Sequence, residues 1–151
     1  MDVVKYNIYK NGGIRMILVS ACLAGYPCRY DGRDNRRSDI VAMVQAGEAL
    51  PVCPEQLGGL STPRSPCELY GEKRVFSSDG EDKTEAFLKG ARAALELCRL
   101  YHIDQAILKA RSPSCGYGLV YDGTFTGTLR EGMGLCAGLL AQNGIEVSSR
   151  E

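Results

Sequence analysis

Short apolar runs alternate along this chain with longer stretches of helical period. Met16-Ile17-Leu18-Val19-Ser20 opens the series and predicts a buried strand. Ala49-Leu50-Pro51-Val52 predicts a second, Ile103 to Ala110 a third and Ile145-Glu146-Val147 a last one. Between the first two, Ile40, Met43 and Val44 share one helical face, with Ser38 a candidate N-cap and Gly47 a stop. The longest helical signal runs from Asp82 to about Tyr101, capped by Asp82 or Thr84. Phe87, Ala91, Ala94, Leu95 and Cys98 make its apolar face, and Lys89, Arg92, Glu96 and Arg99 face out. Gly134 to Asn143 predicts a final helix ending at Asn143-Gly144.

The remaining segments read differently. Pro63 and Pro66 make residues 61–69 an extended connection, and Glu72 to Phe76 predicts a short β segment closed by Asp79-Gly80. Gly116 to Thr128 is a glycine-rich loop with a hairpin around Asp122-Gly123. Residues 1–15 lack a clean period and are expected to be an N-terminal extension to one domain spanning 16–151. Strands alternating with helices predict an α/β fold: a Rossmann-like three-layer sandwich around a mainly parallel sheet.

The totals narrow the function. The 151 residues suit one domain, and the 18 basic and 18 acidic side chains cancel. A protein that grips a long nucleic acid usually carries a basic excess, so a long RNA or DNA partner is not expected. A nucleobase or nucleoside is still compatible. No apolar run nears the ~18 residues of a membrane span, and the N-terminus has no signal-peptide core, which predicts a cytoplasmic location with no membrane partner. Seven cysteines, an odd number, do not suit a disulfide scaffold and do suit thiols kept for metal binding or catalysis.

Three of those thiols stand out. In parallel α/β folds the ligand sits outside the carboxyl ends of the strands. Cys22, Cys53 and Cys115 each lie at or just past such an end, in loops punctuated by glycine and proline. Lys109 and Arg111 bring positive charge near Cys115, which favours the thiolate. No CxxC pair is present, and the one histidine, His102, sits near a helix end. Three thiolates leave zinc one ligand short, whereas a 4Fe–4S cluster accepts three and keeps one iron open. Cys28 is a candidate fourth ligand and equally a packing residue, so spacing leaves both metals in play. Cys98 and Cys136 fall on helical faces as core residues, and Cys67 reads as incidental.

Other side chains gather near the same loops. Glu55 follows Cys53 by two residues, close enough to exchange protons with a ligand. Ser112 and Ser114 flank Pro113, where they serve the turn, the substrate or proton transfer. Arg29, Tyr30 and Asp31 are candidates for binding a polar ligand. Two other functions fit the same cysteines: a non-enzymatic metal or cluster sensor or carrier, and a metal-free enzyme using Cys115 as nucleophile, which lacks an evident histidine partner.

Several motifs together resemble one bacterial family, long catalogued as a domain of unknown function, that contains the thiouracil desulfidases. They are Ser20-Ala21-Cys22-Leu23, Cys28-Arg29-Tyr30-Asp31-Gly32, Cys53-Pro54-Glu55 with Leu57-Gly58-Gly59-Leu60, Lys109 through Gly116, and Tyr121-Asp122-Gly123-Thr124-Phe125. The resemblance covers about Met16 to Val147. It implies a 4Fe–4S cluster on Cys22, Cys53 and Cys115, whose open iron takes the sulfur of a base such as 2-thiouracil. It further implies hydrolysis to uracil and sulfide, with Glu55 as the proton-transfer group and Ser112 or Ser114 as its helper.

Overall fold

The computed structural model describes residues 15–151, so the expected extension lies almost wholly outside the described residues. In chain order the elements are β1 (Ile17–Ser20), a 3-10 turn (Ala21–Ala24), α1 (Ser38–Gln45), β2 (Ala49–Val52), α2 (Pro54–Leu57), β3 (Cys67–Tyr70) and β4 (Arg74–Ser77). Then follow α3 (Thr84–Leu100), β5 (Gln105–Lys109), β6 (Tyr117–Tyr121), β7 (Leu129–Met133), α4 (Leu135–Gln142) and β8 (Glu146–Arg150).

Four strands form one parallel sheet in the order β2-β1-β5-β8. Successive strand residues point to opposite faces, and both faces here are covered. Leu18, Ala106 and Leu108 pack with Ala91, Ala94, Leu95, Ala137 and Leu140 of α3 and α4. Ile17, Val19 and Ile107 pack instead with Leu23 and with Ile40, Met43 and Val44 of α1. This is the expected three-layer α/β sandwich. Strand order reverses between β1 and β5, and the crevice at such a switch point is where open α/β sheets bind ligands.

Outside the sheet, β3 and β4 form one antiparallel hairpin and β6 and β7 another. The extended connection at 61–69 therefore gives way to a strand at Cys67. Strand β7 is unmarked in the sequence, because Leu129-Arg130-Glu131-Gly132-Met133 has neither an apolar run nor a buried face.

Helix α2 lies backbone to backbone on α3. A Cβ on Gly58 would stand 2.0 Å from the Ala86 carbonyl oxygen, and one on Gly90 would stand 1.8 Å from that of Pro54. Gly90→Ala is thus expected to destabilise the domain by about 1–3 kcal/mol or more, as overpacking does. Gly138→Ala in α4 has room, its nearest neighbour being Met133 at 3.8 Å, and should not lower the melting temperature. Thermal denaturation of both variants checks this, and equal melting temperatures would contradict the close approach.

Candidate active site

A cavity of about 500 Å³ opens at the carboxyl end of the sheet. Five cysteines line it, and three of them, Cys22, Cys53 and Cys115, come from the ends of three strands. Strand β1 runs into the 3-10 turn that carries Cys22, and Gly25 closes that turn in the left-handed region, its N–H reaching the Cys22 carbonyl at 3.1 Å. Strand β2 ends at Cys53, the N-cap of α2, where Pro54 suits the first helical position.

Cys115 sits in the loop after β5. The Ser112 hydroxyl accepts the N–H groups of Ser114 and Cys115 at 3.1 and 3.0 Å, and the Gly116 N–H closes on the Ser112 carbonyl at 2.8 Å. Only glycine fits there, since a Cβ on Gly116 would stand 2.6 Å from that carbonyl oxygen. The N-terminus of α4 backs the loop, with Cys136 and Ala137 N–H groups both donating to the Ser114 carbonyl at 3.0 Å.

The sulfur atoms act on one another. Cys28 lies between Cys22 and Cys53 and hydrogen-bonds to each side chain. The single Cys28 S–H, shared between the two, holds both neighbouring thiols below their ordinary value against the opposing effect of burial, with Asn35 and Lys109 helping at Cys22. The Cys28 thiol is itself pushed up, because those bonds require its proton. Burial pushes the Cys115 thiol well up, and a hydrogen bond from Ser20 works the other way. Ser20 accepts the Lys109 N–H at 2.8 Å, which leaves its own proton free for Cys115. Among the described residues no three His, Cys, Asp or Glu side chains are placed to hold a single metal ion. The thiols come from three strand ends to one cavity whose lining holds no histidine, a donor set suited to an iron–sulfur core.

Glu55 stands in the same wall, paired with Arg64 at 3.1 Å, their side chains 17% and 8% exposed. Burial pushes the Glu55 carboxyl up, and the Arg64 guanidinium opposes that shift. Arg64 also donates to the Cys28 carbonyl at 2.8 Å, to the Ser61 carbonyl at 3.1 Å and to the Thr62 hydroxyl at 2.9 Å. One buried cation thus ties the Glu55 turn to the Cys28 loop. No motif in the sequence marks Arg64, whose only signal is a lone cation between two prolines.

Of the other candidates, Arg29, Tyr30 and Ser112 line the cavity. Arg29 is held by Asp31 at 3.0 Å and Asn35 at 2.7 Å. Asp31 itself is exposed and is not part of the lining. Ser114 lies behind the wall, 1% exposed, with no hydrogen-bond partner for its hydroxyl among the described residues. Cys67, incidental by sequence, also lines the cavity, its thiol pushed up to about 11 by burial. Cys98 and Cys136 are in the main core, and His102 follows α3 away from the cavity.

A solved structure shares this fold. A structure described as [4Fe-4S]-dependent thiouracil desulfidase TudS (DUF523Vcz) superposes with a TM-score of 0.86 at 44% sequence identity, covering 90% of this chain and 91% of that one. An uncharacterized protein of Bacillus subtilis (strain 168), YbbK, is 42% identical over 143 residues, 89% of this chain and 95% of its own. Residues 17–151, from the first strand through the last and with every cavity-lining cysteine between them, match the family described as 2-thiouracil desulfurase, and this chain belongs to that family.

Proposed function

We propose that this chain is an iron–sulfur-dependent desulfidase that hydrolyses a thiolated nucleobase such as 2-thiouracil to uracil and sulfide. The observation that carries this reading is the meeting of Cys22, Cys53 and Cys115, from three strand ends, with Glu55 on one cavity wall. The donor set fits a 4Fe–4S cluster: thiols from three strand ends lining one cavity, with no histidine among the lining residues. Cys22, Cys53 and Cys115 would hold it. When bound, the cluster supplies a soft Lewis acid at its open iron, suited to sulfur.

The chain's own residues do the rest. Water adds its oxygen to the carbon that carries sulfur, the carbon–sulfur bond breaks, and sulfur leaves as hydrogen sulfide. No oxidant or reductant is needed. Glu55 exchanges the proton between the entering water and the leaving sulfur. Arg64 holds the Glu55 carboxyl toward the cavity. Ser112 shapes the Cys115 loop through its two accepted bonds. Arg29 and Tyr30 meet the polar edge of the base or nucleoside at the mouth.

No helix among the described residues is long and apolar enough to cross a membrane, and all seven cysteines are free, which supports a reducing, cytoplasmic setting. The working domain begins at Met16 in this reading. A cluster carrier would have no use for Glu55 and Arg64 buried beside the thiols.

Cys28 touches two of the assigned ligands but is expected not to be one, since a fourth thiolate would occupy the open iron. Cys28→Ala should keep the parent's iron content, as measured after anaerobic reconstitution. Loss of iron as complete as in Cys22→Ala would contradict the open site. For the function itself the test is anaerobic purification with iron and sulfide analysis and a thiouracil assay. Iron-dependent sulfide release is expected, and an iron-free protein that still desulfurates thiouracil would overturn the reading.

A further inference from the structure

The loop between β6 and β7 is held more tightly than its polar sequence suggests. One carboxylate oxygen of Glu68, on β3, accepts the N–H groups of Gly123 and Phe125 at 3.0 and 3.1 Å. Gly123 presses on β3, where a Cβ would stand 2.6 Å from the Leu69 carbonyl oxygen. A chain of hydroxyls stiffens the loop further: Thr124 to Asp122 at 2.6 Å, Thr124 to Thr126 at 2.6 Å, and Thr126 to Thr128 at 2.8 Å. These restraints keep Phe125 at φ +56, a left-handed conformation that a bulky residue rarely adopts.

Backbone strain of this kind persists only where the surroundings enforce it, and it concentrates at functional sites. Its effect here is to set the Phe125 ring in the cavity lining, 39% exposed. Two other aromatic rings line the cavity, and arginines engage both. Tyr30 has Arg29 5.9 Å from its ring centre, and Tyr121 hydrogen-bonds to Arg111. Phe125 has no ring or cation partner among the described residues. An apolar aromatic face, fixed in position and left without a protein partner, matches one kind of ligand surface: the face of a planar heterocycle.

Resting on the proposed function, we infer that Phe125 stacks on the ring of the thiolated base and that Glu68 is the positioning residue that holds it there. The ring orients the base so that its thiocarbonyl edge faces the cysteine wall. Glu68 acts through its oxygen as an acceptor of two N–H groups, so a neutral amide oxygen can replace it, whereas a methyl group cannot.

The test uses two readouts on the reconstituted holoenzyme: equilibrium dialysis of uracil, and steady-state sulfide release from 2-thiouracil. Phe125→Leu keeps apolar bulk without a π face. It should weaken uracil binding and raise KM by roughly tenfold, within the span of single base–aromatic stacking. Iron content should be unchanged. Phe125→Tyr should behave as the parent. Glu68→Ala should reproduce Phe125→Leu, and Glu68→Gln should restore binding. Parent-like uracil binding and KM in Phe125→Leu would overturn the inference, as would a Glu68→Gln variant no better than Glu68→Ala. A parent that binds uracil through Phe125 yet releases no sulfide would leave the inference standing and remove the proposed function. A parent that releases sulfide while Phe125→Leu keeps its KM would remove the inference alone.

Discussion

Cys115→Ser is expected to lose iron and sulfide release together. The substitution changes one atom, so the loop held by Ser112, Gly116 and the start of α4 should keep its shape. What changes is the donor. A serine hydroxyl is hard and stays protonated near neutrality, whereas cluster iron requires a thiolate. Cys115 is 5% exposed and is the one cavity-lining cysteine that the loop after β5 carries. Two remaining thiolates do not hold a compact cluster against exchange. Iron analysis after anaerobic reconstitution should give the level of unreconstituted protein, and Cys22→Ser and Cys53→Ser should match it. A Cys115→Ser protein that retains parental iron would remove this residue from the ligand set.

Glu55→Gln is expected to separate chemistry from assembly. The amide keeps the size of the side chain and an oxygen for the Arg64 donor, so the bond at 3.1 Å survives in weaker form, with a neutral acceptor. Arg64 remains anchored by the Cys28 and Ser61 carbonyls and the Thr62 hydroxyl, which keeps the wall in place. An amide does not exchange a proton as a carboxyl group does. Sulfide release should therefore fall by ~10²–10⁴-fold, the usual contribution of a general acid–base group, with parental iron content. Undiminished turnover would remove Glu55 from the mechanism and move attention to Ser112.

The sheet was legible because its strands are covered on both faces. Ile17, Leu18 and Val19 are all apolar although they point alternately to two layers, and the same holds for Ala106, Ile107 and Leu108. Once the parallel order is inferred, the ends of β1, β2 and β5 share one rim, and the three cysteines become neighbours without any contact being known. What the sequence hides lies in partners far apart along the chain. Ser20 meets Lys109 across 89 positions, and Arg64 meets Cys28 across 36. Ser20 is legible as the end of the first strand and Arg64 is marked by nothing, and in neither case does the sequence show the partner. Strand β7 is hidden for another reason: it pairs only with β6, in an exposed ribbon whose Arg130 and Glu131 give no alternation. Helix α2, four residues long from Pro54, is too short for any period to show.

The most direct measurement of the central claim is isotopic. Reconstituted protein turns over 2-thiouracil anaerobically in ¹⁸O-labelled water, with the uracil analysed by mass spectrometry and sulfide counted in parallel. One ¹⁸O atom in each uracil, one sulfide per uracil and no consumption of reductant are expected, all dependent on iron. Uracil formed without label, or sulfide released only when a reductant is consumed, would contradict it.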